Sequence, residues 1–196
     1  MLDLVKQETE RVDSRFLEPA CGNGNFLAAI LERKLSVVER RYSKSQLEYE
    51  RNAVLAVASI YGIDKLEDNV TECRQRLFEV FDRLYTAQFK HTAKEECRES
   101  IKYILGRNIV HGDALTLLTM DRAPRPIIFS EWALATGSLI KRKDYTFSDL
   151  IESEATGQST LFLTEQYSDL GKRVFIPKEI MSYPLIHFLK VREHDE

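Results

Sequence analysis

Apolar residues along this chain recur with helical spacing in several stretches and, between them, gather into short runs of strand length. Leu2, Leu4 and Val5 begin an apolar stripe whose other faces are charged, which predicts a helix over residues 2–11. Arg15-Phe-Leu-Glu18 is short and apolar, and Pro19 removes a ladder donor at its end. Cys21-Gly-Asn-Gly-Asn25 then reads as a turn before a helical run from Phe26 to Lys34. A second helix is predicted over residues 43–58, capped by Ser43 or Ser45, with Leu47, Val54, Leu55 and Val57 on its apolar side. Ser59-Ile-Tyr-Gly-Ile63 is a second strand closing on Asp64. Glu67-Asp68-Asn69 opens a long helix whose Val70, Cys73, Leu77, Val80, Phe81 and Leu84 repeat at helical spacing. Another helix, roughly residues 92–105, stops at Gly106. Asn108–His111 is a third strand ending at Gly112-Asp113, and Arg125–Phe129 a fourth.

Strands alternating with helices call for an α/β fold with a mostly parallel sheet and a ligand site at the carboxyl ends of its strands. Beyond Trp132 no comparable helix is predicted. Lys141-Arg-Lys143 is basic, Glu152–Ser159 is polar and small, and Arg173–Ile176 and Tyr183–Val191 look extended. We therefore divide the chain into an α/β core, residues 1–132, and a loop- and β-rich C-terminal extension, residues 133–196, packed on the same domain.

Composition narrows this picture only a little. The 196 residues, 43% hydrophobic and 30% charged, suit one globular domain with a core of its own. A formal net charge of −3 leaves DNA contact to local patches or to a partner. Arg33, Lys34, Arg40, Arg41 and Lys44 form one such patch, and Lys141–Lys143 another. Cys21, Cys73 and Cys97 are odd in number and lack Cys-x-x-Cys spacing, so neither a disulfide framework nor a zinc site is suggested. The scattered histidines suggest no metal. No apolar run approaches the roughly 20 residues that span a bilayer, and the N-terminal segment lacks the order of a signal peptide, so a cytoplasmic protein is expected.

The candidate chemistry lies where strands end. A Gly22-x-Gly24 loop between strand and helix lets backbone approach a ligand. Leu27 stands where a dinucleotide fingerprint has its third glycine, and Glu18 would repel a pyrophosphate. An acidic group there suits a cationic ligand such as S-adenosylmethionine, and the same two features disfavour a nicotinamide dehydrogenase. Asp64 ends the second strand, where a carboxylate can accept ribose hydroxyls, and Asp113 ends the third, where one can accept from an adenine amine. Each acid alone is more often a cap or a turn residue. Three at successive strand ends surround one crevice.

Glu18-Pro-Ala-Cys-Gly-Asn-Gly-Asn-Phe-Leu27 resembles the Glu/Asp-Pro-x-Cys-Gly-x-Gly-x-Phe motif of restriction-modification adenine-N6 DNA methyltransferases. Ser59–Asp64 with Asp68-Asn-Val70 and Cys73-Arg74 is similar to the second motif of those enzymes, and Asn108–Ala114 to the third. The resemblance, over residues 14–132, implies a Rossmann-like methyltransferase sheet. It implies S-adenosylmethionine held by Glu18, Ala20, Gly22 and Gly24 at its methionine end, by Asp64 and Lys65 at the ribose and adenine, and by Asp113 and Ala114 at the adenine. It also implies methyl transfer by in-line attack of an adenine amine. After the fourth strand the family carries Asn/Asp-Pro-Pro-Tyr/Phe, which binds and stacks the flipped base. Here Phe129-Ser-Glu-Trp132 stands instead, with Glu131 as substitute acceptor and Trp132 as stacking face. The family's N-terminal Phe-x-x-Pro segment and long target-recognition domain are also missing. The expectation is an S-adenosylmethionine-dependent DNA adenine-N6 methyltransferase or a truncated form of one. The alternative is a non-catalytic S-adenosylmethionine-binding module, or a subunit of a restriction-modification system that meets DNA through a partner.

Overall fold

Among the described residues the stretches of helical spacing fold as helices, and apart from the exposed Leu47 the repeating apolar residues are buried or half-buried. In a computed structural model, which describes residues 6–155 and 178–195, a short helix α1 (Lys6–Thr9) precedes strand β1 (Phe16–Glu18). Then come α2 (Asn25–Tyr42), α3 (Gln46–Ala58), β2 (Ile60–Asp64), α4 (Glu67–Phe89), α5 (Glu95–Asn108) and β3 (Ile109–Asp113). Leu27, Ile30, Leu31, Leu35 and Val38 on α2, and Val70, Cys73, Leu77 and Phe81 on α4, are the buried stripes. Of the two candidate caps for α3, Ser45 fills the role, its Oγ accepting from Glu48 N at 3.4 Å. Glu67 and Asp68 sit in the first turn of α4, where the positive end of the helix dipole favours them. Gly106 does not stop α5. The helix runs on to Asn108, whose buried amide donates to Ala58 O at 3.0 Å and Ile60 O at 3.2 Å.

β1, β2 and β3 are parallel neighbours in that order, with Glu18 opposite Gly62 and Asp64 opposite His111. Alternation sorts their side chains between two faces. Phe16, Ile60 and Ile109 join a core built from α2, α3, α4 and α5, so these four helices lie on one face of the sheet. Leu17, Tyr61, Ile63 and Val110 face the other way. The edge beyond β3 is finished by β4 (Leu118–Thr119), which runs antiparallel to it.

The second face is covered by a hairpin. β5 (Ile128–Leu134) and β6 (Leu139–Thr146) pair antiparallel, and α6 (Phe147–Ala155) follows. Ile127, Phe129, Tyr145, Phe147 and Leu150 form the core between this layer and the sheet. Short strands β7 (Met181–Ser182) and β8 (Ile186–His187) both pair with β6, and a 3-10 turn covers Val191–Asp195.

Four expectations are corrected here. The fourth strand is longer and later than Arg125–Phe129, and it pairs with β6 and not within the parallel sheet. A boundary after Trp132 falls inside β5. α6 forms where no helix is predicted, and within Tyr183–Val191 only Ile186–His187 is strand. The predicted extended segment Arg173–Ile176 lies outside the described residues, as do the second half of Glu152–Ser159 and the start of the 2–11 helix.

Candidate functional site

The parallel sheet gives the molecule two chemically different ends, and the candidate residues divide between them. At the carboxyl ends Glu18, Asp64 and Asp113 terminate β1, β2 and β3. Each has the parity of the inward Phe16, Ile60 or Ile109 of its own strand, so alternation turns all three carboxylates toward the helical face. The register staggers them, each two residues further along its strand than the last.

Asp64 is the most heavily bonded of the three. One carboxylate oxygen accepts from Gly22 N at 2.9 Å; the other accepts from Leu66 N at 2.9 Å and Asn69 Nδ2 at 3.1 Å. Burial opposes its charge, but these donors, together with nearby His111, outweigh it and hold the carboxyl below the usual carboxylate range. Asp113 pairs with Lys65 Nζ at 2.9 Å and accepts from Leu115 N at 2.9 Å. The bond from Lys65 is the main reason its carboxyl also titrates below the ordinary range. His111 Nε2 lies 3.0 Å from Lys65 O, so it braces the residue that carries that ammonium. Glu18 accepts only a 3.4 Å bond from Ala20 N among the described residues. Ala114 packs against the hairpin-side core, on the face opposite the carboxylates.

The glycine loop is clamped to its surroundings. Cys21 N donates to Ile63 O, Gly24 N to Cys21 O, and Arg76 Nε to Asn23 O, all at 2.9 Å. Gly22 and Gly24 take φ of +52° and +83°, the left-handed region that favours glycine. Their surroundings differ. A Cβ on Gly24 would stand 2.6 Å from Cys73 Sγ, so this glycine lets the loop lie against α4. A Cβ on Gly22 would meet nothing within 4 Å, so the space beside it is open.

Glu131 and Trp132 are at the other end. Glu131 forms an ion pair with Arg15 Nη2 at 2.5 Å, just before β1 begins. Trp132 is 2% exposed, and its Nε1 donates to Asn108 Oδ1 at 3.1 Å. Asn108 is bonded at the amino ends of β2 and β3, so Trp132 sits there too, with its ring packed by Tyr103, His194 and the Arg142 guanidinium. The substitute-motif reading of these two residues is therefore corrected. Neither reaches the carboxyl ends, and Trp132 has no open face for a base.

The basic patches are corrected in part. Lys34 is 0% exposed, its Nζ within hydrogen-bond reach of Arg11 O, Val12 O, Ser14 O and Ser59 Oγ, which share its three donors. Arg142 is also fully buried, bonded to Asp144, Tyr103 and Asp195, while Lys141 donates to Tyr183 O and Lys143 pairs with Glu179. Arg40, Arg41 and Lys44 remain exposed, at and just beyond the C-terminal end of α2. There the helix dipole already favours cations.

No protein-family model, curated protein or solved structure matches this chain. The site therefore rests on its own geometry. Among the described residues no cluster of His, Cys, Asp and Glu could hold a metal ion, and no helix is long and apolar enough to cross a membrane. Asn69 and His111 belong to the carboxyl-end cluster although neither was singled out from the sequence for it. The available signal was position: His111 is two residues before Asp113 on one strand, and Asn69 lies in the first turn of α4.

Proposed function

We propose that this chain is the cofactor half of a protein of the adenine-N6 DNA methyltransferase type. On this reading it binds S-adenosylmethionine at the carboxyl ends of β1, β2 and β3, and a partner supplies the site for the methyl acceptor. The observation that carries the reading is the set of carboxylates Glu18, Asp64 and Asp113 at successive parallel strand ends, beside a left-handed glycine loop that opens α2. One βαβαβ winding of this kind is half of the dinucleotide-binding architecture, in which ligands bind outside the carboxyl ends of the strands.

The donor set fits the ligand. Glu18 carries an acceptor little used by the protein, suited to an ammonium group. Among the described residues the Asp64 oxygen bonded to Gly22 takes a single bond, leaving a lone pair for a ribose hydroxyl. Open space beside Gly22 leaves room next to the loop. Lys65 holds Asp113 and keeps its carboxylate ionised as an acceptor. When bound, the cofactor supplies an electrophilic methyl group. Transfer then needs an acceptor amine held in line, which is positioning chemistry and calls for no nucleophilic side chain.

Assignment of catalysis to a partner follows from the placement of Glu131 and Trp132 at the amino ends. Calorimetric titration with S-adenosylmethionine, paired with a radiolabelled methyl-transfer assay on unmethylated DNA, tests both halves. Cofactor binding without transfer is expected. Absence of binding by the folded chain refutes the cofactor reading, and transfer by the chain alone refutes the need for a partner.

A further inference from the structure

The helices outrun the sheet. Lys34 on α2 bonds Ser59, just before β2, and Arg74 on α4 bonds the carbonyl of Ile109, at the start of β3, so the rest of each helix extends past the amino ends of the strands. α2 continues for eight further residues, about 12 Å at the helical rise, and α3 and α5 return from the tip this creates. There the α2–α3 turn and the α4–α5 turn are tied together: Gln88 Nε2 donates to Ser43 O at 3.3 Å and Gln46 Nε2 to Thr92 O at 2.7 Å. Arg40, Arg41 and Lys44 on one turn and Lys90 on the other are exposed, and among the described residues none of them has an ion-pair partner. Other cations on these helices are paired, as Arg76 is with Glu72, Arg83 with Glu32 and Lys102 with Glu99. We propose that this tip is a contact surface for the phosphodiester backbone of a nucleic acid, with Arg40, Arg41, Lys44 and Lys90 as its phosphate-binding groups.

Helix dipoles do not account for the cluster. α2 and α4 end at the tip, but α3 and α5 begin there, so their terminal charges offset one another. Of the acids close by, Glu48 pairs with Arg51, Glu50 with Lys94 and Glu95 with Arg98, which leaves Glu39 and Glu96 against the unpaired cations. The whole chain carries −3, so a positive tip makes the field asymmetric and turns one end of the molecule toward a polyanion. Among the described residues of the two turns only Leu47 is a large exposed hydrophobic, so the surface attracts by charge and lacks the apolar face that a membrane contact needs. Guanidinium groups match phosphate oxygens with two parallel bonds, which favours a phosphate ester over a carboxylate peptide as the repeated anion of an extended chain. Lys90 adds a separate sign. Its φ is +49°, in the region that favours glycine, and the strained residue presents to solvent a charge that glycine could not. α2 spans 18 residues, about 27 Å, between the glycine loop and the tip, so nucleic acid held here lies at the opposite end from the cofactor site proposed above and the contact does not rest on that reading.

The test measures fluorescence anisotropy of a short labelled duplex DNA with the full chain across a salt series, together with a thermal melt of every variant. Four phosphate contacts give a slope of log affinity against log salt of about −3.6. Lys90→Gly should weaken binding about five- to tenfold near 0.1 M salt and flatten the slope by about one, yet melt at or above the wild-type temperature because glycine relieves the positive φ. Arg41→Gln should weaken binding to the same extent with its melt unchanged. Lys102→Gln removes a cation already paired with Glu99 and should change neither affinity nor slope. Unlabelled duplex DNA and duplex RNA are the competitors that identify the source of the backbone, and displacement by either supports the contact. No binding by the folded chain at low salt, an unchanged slope when Arg40→Gln, Arg41→Gln and Lys90→Gly are combined, or equal displacement by polyglutamate of the same charge overturns the proposal. A folded wild-type chain that binds no S-adenosylmethionine refutes the proposed function and leaves the backbone contact standing.

Discussion

Trp132→Phe separates a structural tryptophan from a base-stacking one. The substitution keeps an aromatic ring in the 2%-exposed site but removes the Nε1 donor, leaving Asn108 Oδ1 without the 3.1 Å bond it accepts. An acceptor stranded in the interior costs about 1 to 3 kcal/mol. The smaller ring adds a void, so the upper part of that range is expected. Trp132→Ala empties the site and costs about 3 to 5 kcal/mol for the lost ring, before the stranded amide is added. Whole domains are stable by only about 5 to 15 kcal/mol, so the alanine variant should be close to unfolding and the phenylalanine variant is the quantitative one. With a urea slope of about 2 kcal/mol per molar, its midpoint should fall by roughly 1 to 1.5 M. Affinity for S-adenosylmethionine should not change, because Trp132 sits at the opposite end of the strands. An unchanged urea midpoint, together with weakened DNA or cofactor binding, would refute the structural assignment and restore Trp132 to the functional site.

Asp64→Ala removes the acceptor for Gly22 N, Leu66 N and Asn69, and should weaken S-adenosylmethionine binding by about 1.5 to 3 kcal/mol; unchanged affinity in calorimetry removes Asp64 from the site. Gly22→Ala meets open space and should lose only the ~1 to 2 kcal/mol of a left-handed backbone, whereas Gly24→Ala adds a Cβ 2.6 Å from Cys73 Sγ. The second should be clearly the less stable in thermal melts, and equal melting would show that the loop does not lie against α4. Burial lowers the Lys34 ammonium from its ordinary 10.5 to about 7, so between those values the unfolded chain binds the extra proton. Stability contributed by this residue is therefore lowest below about pH 7 and rises with pH. Urea melts of wild type and Lys34→Met at pH 7 and pH 9 should differ in slope, with the rise present only in wild type. Parallel slopes would count against a proton-linked Lys34.

The parallel part of the fold was legible because its signals are local. Helical repeats in α2 to α5 and the short apolar runs of β1 to β3 each lie within one contiguous segment, and apart from the end of α2 their boundaries missed by only a few residues. The α2 helix ran eight residues past its expected end at Lys34 because Leu35, Val37 and Val38 continue the buried stripe. What was not legible depends on partners distant in sequence. Nothing near Lys34 or Arg142 marks them as buried, because the oxygens that bond them come from Ser14, Ser59 and Asp195 as well as from residues nearby. Trp132 and Glu131 were assigned by analogy of position along the chain. That fails here because β5 runs as one strand of an antiparallel hairpin across the sheet and carries them to its amino ends. The carboxylates could be named from strand ends alone, whereas their mutual parity and the bonds that occupy Asp64 required the register.

The hairpin layer also divides the molecule by how its parts come together. Residues 16–113 contain the parallel strands and the helices between them, so that unit can close through contacts that are short in sequence. The hairpin is joined to it by Arg15 to Glu131, separated by 116 residues, and by the Tyr61 hydroxyl to Ser130 O, separated by 69. Such contacts require the chain to be gathered over long loops before they form, which places them late in folding and among the first to be released. Sub-global opening should then lift β5 and β6 away as one unit, so that their amides exchange with solvent sooner than those of β2, whose Ile60, Tyr61 and Ile63 are sealed on both faces. The same opening would bare Tyr61, Ile63 and Val110, an apolar face that the native molecule keeps covered.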